Sequence, residues 1–208
     1  MFKAITPLAC PLAFLVTFLF AVSSSGAQEV GAVTRVQGRA VAERGAQVLT
    51  LNAEAPVIRD DRLVTGEAAR LEVLLQGDTT LTLGENGALV LDDLIVTPTE
   101  STLRIRVTGA FRLASGLLPH GARTEIITPL ATIGIRGTDV WGGPIDGAFG
   151  VFLIDGTVEV TTQAGSVILD RPGTGTTVRA ANAPPSDPVV WPGQKVDRAV
   201  AAVSFSTP

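Results

Sequence analysis

The most constraining feature of the sequence is a short alternation of apolar and polar residues that runs from position 30 to about position 178. Glycine, aspartate, asparagine or proline interrupts it about every 8 to 12 residues, a spacing typical of turns between short strands. Alternation places successive side chains on opposite faces of a strand. The pattern therefore predicts an all-β fold of many short strands. A compact β-roll or solenoid-like arrangement and a twisted β-sandwich both remain open, because the recurring segments have no fixed period.

Two segments predict β-hairpins. The first has alternating runs at Arg70–Leu75 and Thr79–Leu83 on either side of a Gln-Gly-Asp triplet. The second has runs at 150–154 and 157–161 around Asp155-Gly156. Asp-Gly readily adopts the positive φ angles of a two-residue loop, so the second signal is the stronger of the two.

The first 27 residues differ from the rest of the chain. They contain one charged residue, Lys3, then an apolar run over 11–22, and they end in small residues that include Ser25 and Ala27. This pattern is typical of a secretory signal peptide, here cleaved before Gln28. The apolar run is also shorter than the roughly 20 residues that a membrane-spanning helix needs. We therefore expect residues 1–27 to be a signal peptide and residues 28–180 to form the all-β domain.

Residues 181–208 are predicted to be a proline-rich linker followed by a short amphipathic helix. The prolines of 184–188 favour extended backbone, so we expect sheet pairing to end before them. Beyond Gly193 the apolar residues recur with helical spacing. They are Val196, Ala199, Val200 and Val203. We interpret the helix as a lid anchored by Trp191 and Phe205, with a partner-docking helix as the alternative.

The composition argues against catalysis and against a metal site. The sole cysteine, Cys10, lies in the predicted signal peptide, and the sole histidine, His120, lies on a predicted turn. Zinc sites typically use three or four nitrogen or sulfur ligands, and most acid–base or nucleophilic mechanisms use histidine or cysteine. Neighbouring acids such as Asp60-Asp61 and Asp92-Asp93 point to opposite faces of a strand, and we interpret the acids near glycines as turn residues. We predict no enzyme activity, no catalytic residue, no metal and no cofactor.

The charge balance excludes one further class of partner. The formal net charge is −4 at pH 7, and the basic residues are scattered along the chain rather than clustered. Such a surface gives no attraction for a phosphate backbone, so we expect no nucleic-acid binding. No second long apolar run follows the signal peptide, and we expect no membrane span after its removal.

Two charged residues, Arg136 and Asp139, interrupt an otherwise apolar run over 128–141. In a central strand a buried guanidinium needs a partner, and Asp139 or a set of carbonyl groups would supply one. This structural interpretation predicts that Arg136→Ala lowers stability by roughly 2 kcal/mol or more. The alternative is the exposed edge of a binding groove, because arginine and tryptophan often anchor interfaces. The candidate binding residues are Arg136, Thr138, Asp139 and Trp141.

The same run carries a family resemblance. Residues 128–139 read Thr-Pro-x-Ala-x-x-Gly-x-Arg-Gly-Thr-Asp, which resembles the hallmark of FecR domains. Residues 31–33 with Gly38, 61–66, 81–84 and 151–160 are similar to other segments of that family, so the resemblance spans about 30–178. It implies an all-β extracytoplasmic domain. In the founding members this domain receives a signal from a loaded outer-membrane transporter and helps to control a sigma factor.

The resemblance implies a role in binding or signalling. The founding members also have cytoplasmic helices, a membrane span and a C-terminal module that we do not recognise here, so we expect this chain to act with another envelope protein. Our leading hypothesis is an exported FecR-like sensory or interaction domain that binds a ligand or an envelope protein without catalysis. We expect a periplasmic location, with secreted or outer-membrane-associated as alternatives. A structural or adhesive module that contacts cell-wall polymer or outer-membrane partners is the alternative function, and the oligomeric state is open.

Overall fold

The computed structural model describes residues 28–75, 79–96, 101–115 and 123–206. The predicted signal peptide, His120 and the 76–78 turn lie outside these residues. The described part of the chain forms β-strands and one short helix, α1 (Gly193–Ala201). The strands in chain order are β1 (Glu29–Gln37), β2 (Ala40–Arg44), β3 (Gln47–Thr50), β4 (Pro56–Ile58), β5 (Arg62–Thr65), β6 (Arg70–Leu75), β7 (Thr79–Leu83), β8 (Ala88–Val96), β9 (Ser101–Thr108), β10 (Phe111–Ser115), β11 (Arg123–Ile127), β12 (Thr132–Ile145), β13 (Ala148–Thr162), β14 (Gly165–Leu169), β15 (Thr174–Val178) and β16 (Val189–Val190).

The strands form one curled sheet with two layers. The front layer has the order β3-β2-β5-β8-β9-β11-β12-β13-β14, and the back layer has the order β4-β1-β6-β7-β10-β12-β13-β15-β16. The long strands β12 and β13 run through both layers. Neighbouring described strands are antiparallel apart from the parallel pair β9 and β11. Successive hairpins alternate between the layers, so the chain winds like a roll while its layers face each other as in a sandwich.

One apolar core joins the two layers. Leu63 and Leu89 of the front layer belong to the same buried cluster as Leu71 and Phe111 of the back layer, and each is at most 1% exposed. The alternation that the sequence shows is the cause, because every second side chain of a strand faces this core. In β6, for example, Leu71, Val73 and Leu75 are buried. The all-β prediction is confirmed.

A bulge in β12 marks the corner between the two layers. The register between β12 and β13 shifts from Arg136 to Asp139, where Gly137 has φ +52°. Opposite it, Gly156 of β13 has φ +87°, and a Cβ there would lie 2.5 Å from the Thr138 hydroxyl oxygen. Only glycine fits that position. Bulges bend strands, and this one lets both long strands pass from one layer to the other.

The structure overturns one of the two hairpin predictions. The hairpin of β6 and β7 is confirmed, with Leu75 opposite Thr79. The predicted turn at Asp155-Gly156 is wrong, because β13 continues through it as one strand. The turn lies at Asp146-Gly147 instead, where φ is +53° and +74°. Asp-Gly supplies the positive φ that either a tight turn or a bulge requires, so the dipeptide alone does not distinguish them.

The C-terminal segment lies against the back layer. The expectation that sheet pairing ends before the prolines is wrong, since β16 pairs with β15. The predicted helix is confirmed as α1. Residues 184–206, here called the strap, cross from β15 to β1, where the Arg35 guanidinium carbon lies 4.1 Å from the Phe205 ring centre. Within the described residues, no helix has both the length and the apolar character to cross a membrane.

Candidate functional site

The four candidate residues lie at or next to the bulge, but they face different surroundings. Arg136 is exposed, and no hydrogen bond or ion pair joins its side chain to another described residue. Thr138 is buried at 3% exposure. Its hydroxyl contacts both strands, at 3.2 Å from the Arg136 carbonyl oxygen and 3.1 Å from the Thr157 carbonyl oxygen, and it accepts the Thr157 N–H at 3.2 Å. Thr138 therefore holds the corner closed.

Asp139 forms an ion pair with Arg112 of β10, not with Arg136. Arg112 donates from Nε to one carboxylate oxygen at 2.8 Å and from a terminal nitrogen to the other at 2.5 Å. This hydrogen bonding to Asp139 raises the pKa of the Arg112 guanidinium, while partial burial works in the opposite direction. A two-pronged pair of this kind fixes the geometry of both side chains. Asp139 thus ties β12 to β10 in the back layer.

Trp141 is 1% exposed and lies beneath the strap. Its ring centre is 5.9 Å from that of Trp191, edge to face, and Trp191 stacks on Phe152 at 5.0 Å. Ala199 and Val203 complete this second apolar cluster. Trp191 therefore anchors the strap as expected, and Trp141 is interior in this arrangement rather than part of an exposed groove edge.

A shallow cleft of about 320 Å³ opens on the outer face of the front layer beside Arg136. Its middle is Gly134, which has no side chain and lies between Glu125 and Glu159 in the strand register. Glu125 accepts a hydrogen bond from Arg104 at 3.1 Å. The residues that line the cleft are Thr124, Glu125, Gly134, Ile135, Arg136, Thr157, Glu159 and Ile168. The missing side chain at Gly134 leaves space next to a guanidinium that forms no ion pair with any described residue.

A second cleft of similar volume lies further along the same face, between Arg62 and Arg106. Its floor is mainly apolar and includes Val90 and Ile127. Both guanidiniums are already neutralised, because Arg62 binds Glu43 at 2.8 Å and Arg106 binds Asp92 at 2.6 Å. This cleft therefore has no free charge with which to select a ligand.

Several acids noted in the sequence have arginine partners. Asp61 is 1% exposed and receives hydrogen bonds from Arg44 at 2.7 and 2.8 Å. That hydrogen bonding raises the pKa of the Arg44 guanidinium, against a smaller opposing effect of burial. Asp146, at the β12–β13 turn, binds Arg198 of the strap at 2.6 Å. Among the described residues, no three His, Cys, Asp or Glu side chains gather as a metal site would require.

Sequence reasoning missed Arg112 and Ser115, which hold the bulge from β10. The Ser115 hydroxyl donates to the Thr138 carbonyl oxygen at 3.1 Å and accepts the Thr138 N–H at 3.0 Å. Arg112 and Asp139 are 27 positions apart in the chain. No local pattern marks such a pair, because it depends on the register of two strands that are distant in sequence.

Comparison with known proteins shows which structures this chain resembles. No curated protein matches the chain. Two crystal structures of a candidate anti-sigma factor from Parabacteroides distasonis ATCC 8503, at 1.65 and 2.50 Å, resemble it with a TM-score of 0.55 and 16% identity. The similarity covers 65% of this chain and 62% of that one, so this chain spans less than two thirds of its relative, and at this identity it shows the fold alone.

The sequence pattern described as FecR protein matches residues 61–167, just over half of the chain. The match begins at Asp61, the buried partner of Arg44, and includes the bulge and the residues of the cleft beside Arg136 other than Ile168. The resemblance noted over 128–139 is therefore confirmed. This chain belongs to the FecR protein family.

Proposed function

We propose that this chain is an exported regulatory domain that binds a carboxylate group of another envelope protein in the cleft beside Arg136. The family is a regulatory one and is typically associated with the cell envelope. The signal-like character of residues 1–27 supports export. The cleft beside Arg136 is lined by no histidine or cysteine, and one of its two glutamates, Glu125, is held by Arg104.

The observation that carries the proposal is the unpaired charge of Arg136. On the same outer face, Arg62, Arg104 and Arg106 each bind an acid of a neighbouring strand. Arg136 binds none among the described residues and faces the open space above Gly134. A guanidinium is a planar fork of five N–H donors that matches a carboxylate in a two-pronged geometry. An acidic side chain of a partner fits this position.

The surroundings of Arg136 add selectivity. Glu159 is exposed beside the cleft, and Ile168 is 55% exposed at its rim. A partner segment that presents an acid to Arg136 would place a neighbouring apolar side chain against Ile168, while a uniformly acidic surface would be repelled by Glu159. The proposed ligand is therefore a mixed segment of acidic and apolar residues.

The experiment is a capture of partners from periplasmic extract on the immobilised chain, with Arg136→Glu as the test variant. Because Arg136 is exposed, the reversal of charge leaves the fold intact but replaces attraction by repulsion. We expect the specific partner to be retained about tenfold less, a difference of roughly 1.4 kcal/mol. Arg39→Glu is the matched control, since Arg39 is also exposed and lies on the turn before β2. The control should retain the partner fully.

Equal retention by wild type and Arg136→Glu would exclude the cleft as the binding site, and the absence of any specific partner would count against the whole proposal.

The alternative function, a structural or adhesive envelope module, is favoured by one observation: the front layer ends in strands without charged residues. Sedimentation with purified peptidoglycan separates the two functions. Binding to peptidoglycan that Arg136→Glu leaves unchanged would favour the adhesive module.

A further inference from the structure

The two layers differ in how their edges are protected. In the back layer, edge strand β4 begins with Pro56. The other edge strand, β16, is only two residues long and has prolines close on both sides, Pro188 and Pro192. Proline and short length are common devices that prevent an edge from pairing with another chain. In the front layer, edge strands β3 and β14 contain neither proline nor a charged residue. In the part of the chain that the structure describes, both front edges are therefore open to pairing.

Apolar side chains are exposed on both of these edges. Val48 of β3 is 62% exposed and Leu49 is 39% exposed. Ile168 of β14 is 55% exposed. Pro184 of the strap approaches Gly165, so the open part of β14 begins at Ser166. Uncharged, β-branched edges of this kind are templates for the addition of a further strand.

On both edge strands, alternate side chains point to the outer face and to the core face of the front layer. Ile168 lies opposite the exposed Glu159, and Val48 lies opposite Glu43, which binds Arg62 on the outer face. Both apolar residues therefore belong to the outer face of the front layer. Their neighbours belong to the core face. Val167 lies opposite the buried Val160, and Leu49 lies opposite the buried Ala42.

On each edge strand, alternate residues point their backbone N–H and C=O groups away from the sheet. In a hairpin with a two-residue loop, the residues that flank the loop form a hydrogen-bonded pair, and the pattern then alternates along the strands. The flanking pairs are Thr162 with Gly165 and Arg44 with Gln47. The N–H and C=O groups of Ser166 and Ile168 consequently point away from β13. Those of Val48 and Thr50 point away from β2.

We propose that copies of this chain associate through their front layers, with β3 of one copy antiparallel to β14 of the next. With Ile168 opposite Val48, the outward-pointing backbone groups of both strands meet. The same register places Val167 opposite Leu49 on the core face and Ser166 opposite Thr50 on the outer face. Apolar residues meet apolar ones and hydroxyl residues meet each other, which are favourable cross-strand pairs.

Pairing of identical edges is less complementary. Two antiparallel β3 strands centred on Val48 place Leu49 opposite Gln47 at both ends, whereas the unlike pairing has one such mismatch, Leu169 opposite Gln47. Two β14 strands centred on Ile168 pair Val167 with Leu169 but bring the charged Asp170 opposite Ser166 at both ends. The pairing of unlike edges is therefore favoured. Such a contact joins different surfaces of successive copies, so it produces open chains or rings rather than closed dimers. The partner strand on each front edge is thus a strand of another copy of this chain.

The test uses two edge variants, Val48→Lys and Ile168→Lys, studied by sedimentation velocity over a range of concentrations. Wild type should form a concentration-dependent series of oligomers, and each variant alone should remain monomeric because one edge is blocked. A mixture of the two variants should give a dimer and nothing larger, since each retains the edge that the other lacks. Val190→Lys, at an equally exposed valine of the protected edge β16, should associate like wild type.

Three results would overturn the proposal. They are a wild type that remains monomeric at every concentration, association of either variant alone, and a mixture that stays monomeric. Circular dichroism checks that each variant is folded, as expected for exposed positions. Ser166→Glu and Thr50→Glu block the same two edges at hydroxyl residues and provide a second pair of variants. Arg136→Glu should associate normally, because Arg136 borders only the partner cleft, whereas Ile168 belongs to both proposed contacts.

Discussion

Asp139 and Arg136 are three positions apart but have different surroundings. The Asp139 side chain is 20% exposed and takes both prongs of Arg112, whereas Arg136 is exposed and takes part in no described pair. The sequence interpretation had the buried charge at Arg136, and its premise is wrong. We therefore expect the loss of stability on substitution of Arg112 or Asp139, which join β10 to β12, and not on substitution of Arg136.

The first prediction compares the two charged residues by unfolding in urea. Asp139→Ala leaves Arg112 partly buried without its acceptor and should lower the free energy of unfolding by about 1–2 kcal/mol. Arg136→Ala removes an exposed side chain and should change it by less than about 0.5 kcal/mol. The double variant Arg112→Ala/Asp139→Ala should lose less than the sum of the single variants, because the two residues act as one pair. A larger loss at Arg136 than at Asp139 would restore the original interpretation.

At the scale of the strand, the bulge decides the fold. Residues 136–139 of β12 lie opposite 155–157 of β13, and both strands change layers here. Thr138 and Ser115 satisfy the backbone groups that the irregular register leaves without ladder partners. Gly137 and Gly156 supply the two positive φ angles. The hallmark run is therefore the corner of the fold as well as the border of the proposed binding cleft.

The second prediction separates backbone strain from crowding at this corner. A Cβ at Gly137 would meet nothing within 4 Å, so Gly137→Ala bears only the cost of its φ, about 1 kcal/mol. A Cβ at Gly156 would meet the Gly137 carbonyl oxygen and Thr138, so Gly156→Ala should lose at least about 3 kcal/mol or fail to fold. Urea unfolding of the two variants measures the difference. Equal losses would show that the corner can relax around a side chain.

The strands were largely predictable, while their partners were not. Alternation in Arg70–Leu75 and Thr79–Leu83 predicted the β6–β7 hairpin, because its turn and both strands are adjacent in sequence. Asp155-Gly156 misled because its positive φ serves a bulge as well as a turn. The Arg112–Asp139 pair and the burial of Trp141 depend on contacts between distant segments, and no local pattern encodes those. The hallmark run contains the candidate site, but the sequence did not show which of its side chains is exposed.

At the scale of the whole molecule, the two layers have different outer faces. The strap covers the back layer from β15 to β1 through Trp191, α1 and Phe205. Nothing in the described chain covers the front layer around Arg136, Val48 and Ile168. The proposed partner site and the proposed contact between copies both lie on this open layer. Within the described residues, the strap therefore covers part of one face and leaves the face that carries both proposed contacts uncovered.

The last prediction concerns the strap, and it uses the fact that the chain has two tryptophans. Trp191→Ala removes the ring that stacks on Phe152 and meets Trp141, and loss of a large buried aromatic side chain typically costs about 3–5 kcal/mol. Trp141 is then the sole tryptophan, so its fluorescence reports directly on the strap. We expect its emission to shift to longer wavelength in the native variant, because water reaches the ring when the strap no longer seals it.

Phe205→Ala is the control for this prediction. Phe205 is partly buried and contacts Arg35 at the far end of the strap, so its loss should cost about 1–2 kcal/mol and leave the tryptophan emission unchanged. If Trp141 emission stays unshifted in Trp191→Ala, α1 holds the strap by itself through Ala199 and Val203. The two outcomes differ in which group closes the back layer. Since neither variant alters the front layer, the association of copies should be the same in both.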